Sequence, residues 1–270
     1  MVKKSELNIM GQDALTPLAD FYDDIMQHVD YERWIHITTT LGAMLPAPFR
    51  YLDAGCGTGV LLKELATDNW DSVGMDLSPA MLYVARQHRK LPRLVQGNFC
   101  TLPFRSSFNL VTCLFDSLNF LLSEEVFTEA IQSFYEVLLP NGLFYFDIVT
   151  EKMITNHFEN TSRTEEHGQF SSTWNTSYAH ETQTCETRIR IDSGTESISR
   201  EHIFSTEFVL QTLEDAGFSL LALRDGNTWR KPTKNTTRID FIVVKGDTEL
   251  YRKKLQDADD SIEDWYGILE

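Results

Sequence analysis

Residues 51–59 read YLDAGCGTG and decide the fold of the chain. An acid, Asp53, precedes three glycines at alternate positions, which are Gly55, Gly57 and Gly59. The apolar pattern of residues 60–67 predicts a helix directly after the turn. A strand that runs through a glycine-rich turn into a helix is typical of ligand-binding open α/β sheets. Val60 stands where the dinucleotide pattern G-x-G-x-x-G needs a glycine, so the stretch favours another nucleotide-like ligand.

A second strand–turn–helix unit follows and strengthens this interpretation. Residues 70–77, WDSVGMDL, predict a short strand that ends near Asp76. The position of Asp76 is close to the spacing of about 20 residues expected for an acid that binds ribose hydroxyls. A carboxylate suits a diol because it accepts two hydrogen bonds at once. Ser78 and Pro79 then predict the N-cap and first position of a helix over residues 80–87.

The remaining pattern predicts a parallel sheet completed by an antiparallel hairpin. Residues 108–114 form a continuous apolar run, as expected for a central strand covered on both faces. The alternation of strands and helices through residue 149 predicts a doubly wound sheet. Further strands are predicted over residues 94–99, 143–149, 218–224 and 238–245, with helices over 17–42, 124–138 and 208–216.

The composition of the sequence changes after residue 149. Residues 150–199 are polar, and their rough alternation predicts antiparallel strands with one wet face. We expect an inserted small sheet that displaces the helix usually found after the fifth strand. The predicted organisation is an N-terminal and core region over 13–155, an antiparallel lid over 160–203, completion of the core over 204–247 and an acidic helical tail over 248–270.

Composition limits the classes of partner. The 270 residues carry 24 Lys and Arg against 40 Asp and Glu, a net charge of −16. An acidic surface repels phosphate backbones, so binding to nucleic acid is disfavoured. The four cysteines show no CxxC spacing, which is typical of free thiols in a reducing compartment. No run approaches the ~18 apolar residues of a membrane span. We therefore expect a cytoplasmic protein with no membrane association.

With these motifs, the chain resembles the class I S-adenosylmethionine-dependent methyltransferases. The resemblance rests on the Asp-x-Gly-x-Gly-x-Gly pattern at residues 53–59, on FDSLNFL at 115–121, and on YDDIM and YERW near the N-terminus. It is strongest over residues 50–150 and is similar in style to small-molecule enzymes such as amino-sugar and glycine-type N-methyltransferases. It implies a Rossmann-like, mostly parallel seven-stranded sheet with an antiparallel lid.

The resemblance also implies the methyl donor and its contacts. The cofactor is S-adenosylmethionine, its product is S-adenosylhomocysteine, and no metal is expected. Asp53 helps to hold the methionine end, Asp76 takes the ribose, and Asn98 stands where the family more often has Asp for the adenine amino group. The expected cofactor-binding set is Asp53, Gly55, Cys56, Gly57, Gly59, Asp76, Leu77, Asn98, Phe99 and Phe115.

The acceptor is expected at the tip of the fourth strand. Asp116 and His202 are the candidate catalytic residues, because a carboxylate or imidazole can remove a proton from an amine acceptor. Asp116 is alternatively a helix cap. Residues expected to contact the acceptor are Tyr22, Tyr31, Asn119 and Trp174. The predicted reaction is in-line methyl transfer to a small amine, carboxylate or hydroxyl compound.

Two other functions remain open at this point. One is an RNA methyltransferase, which the acidic balance and the lack of an RNA-binding module disfavour. The other is a non-catalytic cofactor-binding protein with a regulatory role. A homodimer is also an open alternative. The fold hosts many substrates, so the sequence indicates the cofactor more firmly than the acceptor.

Overall fold

The computed structural model describes residues 13–66, 70–91 and 93–269, so the stretch 1–12 expected to be unstructured lies outside the described residues. The strands are β1 (Phe49–Ala54), β2 (Trp70–Asp76), β3 (Leu94–Gln96), β4 (Phe108–Cys113), β5 (Leu138–Val149), β6 (Ser162–Glu166), β7 (Ser171–Ala179), β8 (Thr184–Ile191), β9 (Glu196–His202), β10 (Ser219–Asp225) and β11 (Arg238–Val244). The helices are α1 (Tyr22–Ile25), α2 (Glu32–Ala43), α3 (Val60–Leu65), α4 (Pro79–Arg89), α5 (Glu124–Val137), α6 (Glu151–His157), α7 (Thr206–Asp215) and α8 (Arg252–Leu269).

Seven strands form one twisted central sheet in the order β3-β2-β1-β4-β5-β11-β10. Strands β1 to β5 pair in parallel, whereas β11 is antiparallel to both of its neighbours. The order reverses direction at β1 and β4, which is where open α/β sheets bind their ligands. This arrangement confirms the predicted mostly parallel seven-stranded fold.

Both faces of the sheet are covered by apolar layers. On one face Phe134 of α5 stacks on Phe144, and Phe146 stacks on Phe241. On the other face Tyr51 is fully buried and its hydroxyl lies 2.7 Å from Thr112 Oγ1. Burying the central strands on both sides explains why their sequences are continuous apolar runs rather than alternating ones.

Helix starts follow local capping chemistry. The Ser78 hydroxyl accepts from the Met81 N–H at the start of α4, with Pro79 at the first helical position. At α7 the cap is Ser205, which accepts from the Phe208 N–H, and the helix begins at Thr206. In each case the side chain satisfies an N–H that has no partner within the helix.

Two elements differ from the sequence-based expectation. Strand β5 begins at Leu138 rather than residue 143, with Asn141 in a left-handed conformation that asparagine tolerates. The N–H of Asn141 donates to Lys245 O, which keeps this part of the strand in the sheet. The short helix α6, which was not predicted, follows β5 directly, and Thr150 before it has the extended conformation of an N-cap residue.

The insertion is a four-stranded antiparallel sheet in the order β6-β7-β8-β9. We call it the insertion sheet. Its strands fall within the range expected from the alternating pattern. One face carries residues such as Trp174 and Thr176 of β7, Thr187 of β8 and Ser199 of β9, which line a cavity above the central sheet.

The C-terminal helix α8 docks on the body of the protein. The Tyr266 hydroxyl donates to Gly226 O at 2.9 Å and accepts from Arg33 Nε at 2.9 Å. The Trp265 ring stacks on His36 with 5.2 Å between ring centroids. Arg33 in turn forms an ion pair with the buried carboxylate of Asp240, so α8 and α2 are tied to strand β11.

Candidate active site

A cavity of about 370 Å³ joins the carboxyl ends of the central strands to the insertion sheet. Gly57 and Asp76 line one end, and Asp116, Trp174 and Glu201 line the other. Its size falls within the range of small-molecule sites, about 300–1,000 Å³. The predicted cofactor and acceptor positions therefore open into one continuous space.

Each of the three glycines of the turn is needed for a different structural reason. All adopt left-handed backbone angles, with φ of 80° at Gly55, 53° at Gly57 and 81° at Gly59. A Cβ on Gly55 would lie 2.8 Å from the Ser117 hydroxyl, and one on Gly59 would lie 2.5 Å from Leu91. A Cβ on Gly57 would meet nothing within 4 Å. Gly57 therefore faces open cavity, whereas Gly59 does not line the cavity and permits close packing.

Asp76 ties the two predicted ligand-binding turns together. Its Oδ2 accepts from the Gly57 N–H and its Oδ1 accepts from the Ser78 N–H, both at 2.8 Å. Burial raises its pKa to about 6, and these two backbone donors oppose that shift. Each carboxylate oxygen can accept a further hydrogen bond, so a diol in the cavity would find its partner here.

Asp53 is buried at the end of β1 and does not line the cavity. Its Oδ1 accepts from the Thr112 hydroxyl at 3.1 Å, while its Oδ2 has no hydrogen-bond partner among the described residues. Burial raises the pKa of Asp53 to about 7, and the nearby Asp76 raises it further. A buried carboxylate oxygen without a partner is costly, which favours the neutral, protonated form of this side chain.

The other expected donor contacts divide into two groups. Leu77, Asn98 and Phe99 line the cavity beside Asp76. The Asn98 side-chain oxygen accepts from the Cys100 N–H at 2.8 Å, so it is already engaged by the backbone. Cys56 is buried and lies outside the cavity lining, and burial raises the pKa of its thiol. Only its backbone can therefore contribute to the turn.

The N-terminal segment closes the cavity from a third side. Asp23 accepts from the Thr58 hydroxyl at 2.6 Å and from Arg89 at 2.8 Å, which fastens α1 to the glycine turn and to α4. Tyr22 then lines the cavity. Tyr31 does not line it and packs instead against Trp34 and Phe115. Of the two tyrosines expected at the acceptor, the structure brings only Tyr22 to the cavity.

The tip of β4 has an unusual backbone that a buried acid supports. Phe115 and Asp116 both have positive φ angles, 58° and 50°. The fully buried Asp147 accepts from the Phe115 N–H at 2.7 Å and from the Asp116 N–H at 3.4 Å. Non-glycine residues rarely adopt this conformation, and such strain clusters at functional sites. Asp147 therefore fixes the direction of the residues that face the cavity.

Arg238 completes this arrangement from β11. Its guanidinium donates to Asp116 Oδ1 at 2.7 Å and also pairs with Asp147. Burial raises the pKa of Asp116, and the Arg238 charge opposes that rise. Arg238 was not among the site residues predicted from the sequence. Its signal is a lone arginine that opens the apolar run RIDFIVV, where a buried cation requires an acidic partner.

The structure corrects the assignment of His202. Its ring packs against Phe204 at 4.6 Å between centroids and lies outside the cavity lining, whereas Glu201 lines the cavity. Successive residues of a strand point to opposite faces. His202 therefore faces away from the cavity, whereas its neighbour Glu201 faces the cavity. Burial lowers the pKa of His202, which disfavours a charged imidazole.

Asn119 also has a different position from the one expected. It is fully buried and absent from the cavity lining. Its amide nitrogen donates to His202 O at 2.9 Å and its carbonyl oxygen accepts from the Val149 N–H at 3.0 Å. Asn119 therefore links β5 of the central sheet to β9 of the insertion sheet through hydrogen bonds. Trp174 does line the cavity, and its indole N–H donates to the Ser172 hydroxyl.

These residues fit an S-adenosyl ligand. Gly57 leaves space at the turn, and Asp76 presents a carboxylate to the cavity. Within the described residues, no group of three or more His, Cys, Asp or Glu side chains is placed to hold a metal ion. Among the helices described, none is long and apolar enough to cross a membrane.

Comparisons with known proteins agree with this geometry. A family profile described as a methyltransferase domain matches residues 52–142. A provisionally named methyltransferase of Geobacillus sp. strain WCH70 is 29% identical over 241 residues, covering 84% of this chain and 98% of that protein. The dTDP-3-amino-3,6-dideoxy-alpha-D-glucopyranose N,N-dimethyltransferase of Streptomyces fradiae is 30% identical over 132 residues, covering 47% of this chain and 51% of that protein.

A solved structure shows the same fold. An S-adenosylmethionine-dependent methyltransferase from Clostridium acetobutylicum ATCC 824 superposes with a TM-score of 0.75 at 22% identity, covering 85% of this chain and 98% of that one. The sheet order, the glycine turn and the matched domain together define a Rossmann-like methyltransferase. Residues 52–142 therefore form a methyltransferase domain, and the chain has the fold of the class I S-adenosylmethionine-dependent methyltransferases.

Proposed function

We propose that this enzyme transfers a methyl group from S-adenosylmethionine to a small-molecule acceptor enclosed beneath the insertion sheet. The observation that carries this proposal is the continuity of the cavity from Gly57 and Asp76 to Asp116 and Trp174. A donor held at the first pair would direct its methyl group toward the second pair. The aminosugar substrate in the name of the Streptomyces fradiae relative supports a small-molecule acceptor rather than a polymer.

The donor is proposed to bind with its ribose on Asp76 and its adenine near Asn98 and Phe99. The sulfonium supplies an activated methyl group when the donor is bound. The chain's own contribution is alignment and exclusion of water, which general estimates place at up to about 7–11 kcal/mol of the barrier. Tyr22 and Trp174 provide aromatic walls for this purpose.

Asp116 is proposed to orient the acceptor. Its carboxylate lines the cavity, and Arg238 holds it from the opposite strand at 2.7 Å. Phe115 lines the cavity beside it and is proposed to contact the donor. The open acceptor end favours an active transferase over a binding protein that has lost its pocket. The net charge of −16 continues to disfavour an RNA substrate.

The direct test is calorimetric binding of S-adenosylmethionine and S-adenosylhomocysteine. Asp76→Ala removes the proposed ribose acceptor and should weaken binding by about 1.5–3 kcal/mol, as for hydrogen bonds to a charged group. Asp71→Ala is the matched control on the same strand, because Asp71 forms only surface ion pairs with Arg50 and Arg93. Unchanged affinity in Asp76→Ala would remove Asp76 from the ribose role.

Turnover is tested separately with a methyl-labelled donor and a panel of small amines, carboxylates and alcohols. We expect label to reach at least one class of acceptor in the wild-type protein. Binding of the donor without transfer to any compound of the panel would count against this function.

A further inference from the structure

Glu201 is the acidic residue that strand β9 presents to the cavity. Ser199 and Glu201 line the cavity, while His202, the last residue of β9, does not. Glu201 is half-buried. Within the described part of the chain, its carboxylate forms neither a hydrogen bond nor an ion pair with another side chain. It is therefore available to a ligand in the cavity.

Both arginines that line the same cavity have acidic partners. Arg238 is shared between Asp116 and Asp147, so two carboxylates compete for one guanidinium. Arg163 forms an ion pair with Glu165 at 3.0 Å and lies 4.7 Å from the centroid of the Trp174 ring, although its Nε makes no hydrogen bond among the described residues. An acidic acceptor would thus enter a space whose two arginines have partners and whose acids would repel it.

We propose that the methyl acceptor is an amine that is protonated in solution, and that Glu201 binds its ammonium group and takes one proton from it. This inference rests on the proposed function and narrows its acceptor class. Of the three expected classes of acceptor, which are amines, carboxylates and hydroxyl compounds, it selects the amines. Charge complementarity at the Glu201 side of the cavity is the deciding observation.

The proton balance of the transfer follows from this arrangement. An ammonium nitrogen has no lone pair, so it must lose a proton before it can attack. The proton passes from nitrogen to the Glu201 carboxylate. The nitrogen lone pair then forms the N–C bond, while the S–C bond breaks and its electron pair remains on sulfur. Glu201 finally releases the proton to water as the product leaves.

The environment of Glu201 suits such a base. Burial raises its pKa to about 8, Asp116 raises it further and Arg238 lowers it. A general base is most effective when its pKa lies near the working pH. The other titratable or charged side chains that line the cavity are Asp13, Tyr22, His28, Asp76, Asp116, Arg163, Cys185 and Arg238.

Three probes of matched shape test the inference, namely cyclohexylamine, cyclohexanol and cyclohexanecarboxylate. Their affinities are measured by calorimetry for protein saturated with S-adenosylhomocysteine. The wild-type protein should bind the ammonium probe at least tenfold more tightly than the carboxylate probe. Glu201→Gln should reduce the affinity for the ammonium probe at least tenfold and leave cyclohexanol unchanged.

Glu196→Gln is the matched control, since Glu196 begins the same strand but is exposed and paired with Arg188. It should preserve the preference for the ammonium probe. A second measurement needs no variant. The wild-type preference should increase between about pH 6.5 and pH 9, as Glu201 becomes ionised.

Several results would overturn the inference. These are equal or tighter binding of the carboxylate probe, an ammonium preference that survives Glu201→Gln, or no detectable binding of the ammonium probe. Failure of S-adenosylhomocysteine to bind is a separate result, because it rejects the proposed function. The three probes would then be compared on the protein alone, so the amine inference is still decided.

Discussion

The Nη2 atom of Arg238 lies 2.7 Å from Oδ1 of Asp116, although 122 residues separate them in sequence. The same guanidinium pairs with Asp147, which holds the strained turn at Phe115. The acid at the acceptor end is thus fixed from strand β11, and its direction does not depend on the ligand. Removing one partner of a buried ion pair of this kind lowers the free energy of unfolding by several kcal/mol.

Asp116→Asn tests whether this carboxylate acts on the acceptor. We expect kcat to fall about 100-fold or more, as for the loss of a positioned acid–base group, with cofactor affinity nearly unchanged. Steady-state kinetics with an acceptor from the labelled-methyl screen provides kcat, and calorimetry provides the affinity. Asp20→Asn, at an exposed residue, is the control.

Equal losses in kcat and cofactor affinity would assign Asp116 to the donor instead. No loss in either quantity would leave it as the residue that precedes the short helical turn Ser117–Phe120.

Gly57→Ala tests the open side of the glycine turn. Both Gly57 and Gly168 have positive φ angles, 53° and 80°, and a Cβ at either meets nothing within 4 Å. The backbone strain of an alanine is therefore similar at the two sites, about 1 kcal/mol. Of these two glycines, Gly57 lines the cavity and Gly168 does not. Gly57→Ala should weaken S-adenosylhomocysteine binding at least tenfold, whereas Gly168→Ala should not.

Thermal unfolding of the two glycine variants checks that their stabilities fall by similar amounts. Normal ligand binding by Gly57→Ala would mean that the ligand does not approach the backbone at this turn.

The buried carboxyl of Asp53 gives a pH dependence with a defined sign. Its folded-state pKa of about 7 lies above the unfolded value of 3.8. The unliganded folded state therefore loses stability as pH rises from about 4 to about 7 and is not penalised further above that range. At 1.36 kcal/mol for each pKa unit, the full cost is about 4 kcal/mol.

Asp53→Asn removes this cost while its side-chain oxygen can still accept from Thr112. The stability of the variant relative to wild type should therefore increase between pH 5 and pH 8. Urea unfolding of both proteins at several pH values measures the difference, in which other titrating groups largely cancel. A difference that is the same at both pH values would show that Asp53 is not a buried acid of raised pKa.

The central sheet could be predicted because its signals are local. Apolar runs, the glycine turn and the Ser78–Pro79 start each depend on neighbouring residues. The contacts at the acceptor end of the cavity could not be predicted, because they depend on how strands distant in sequence pair with each other. Arg238 pairs with Val149 across β5 and β11, which brings its side chain to Asp147, and no local pattern specifies that pairing.

The difference between His202 and Glu201 has the same origin. The alternating pattern correctly predicted antiparallel strands, but a period of two leaves the inward face undecided until the strand is packed. Asn119 was expected at the acceptor because it follows β4 among aromatic residues. The structure uses its amide to satisfy backbone groups of two sheets, which requires both sheets to be in place.

The most direct test of the account is a crystal structure of the protein with S-adenosylhomocysteine. The ribose hydroxyls should lie within hydrogen-bond distance of the Asp76 carboxylate, the backbone at Gly57 should contact the ligand, and the sulfur should be directed toward Phe115 and Asp116. A ligand whose ribose lies away from Asp76, or whose sulfur faces away from Asp116 and the insertion sheet, would contradict it.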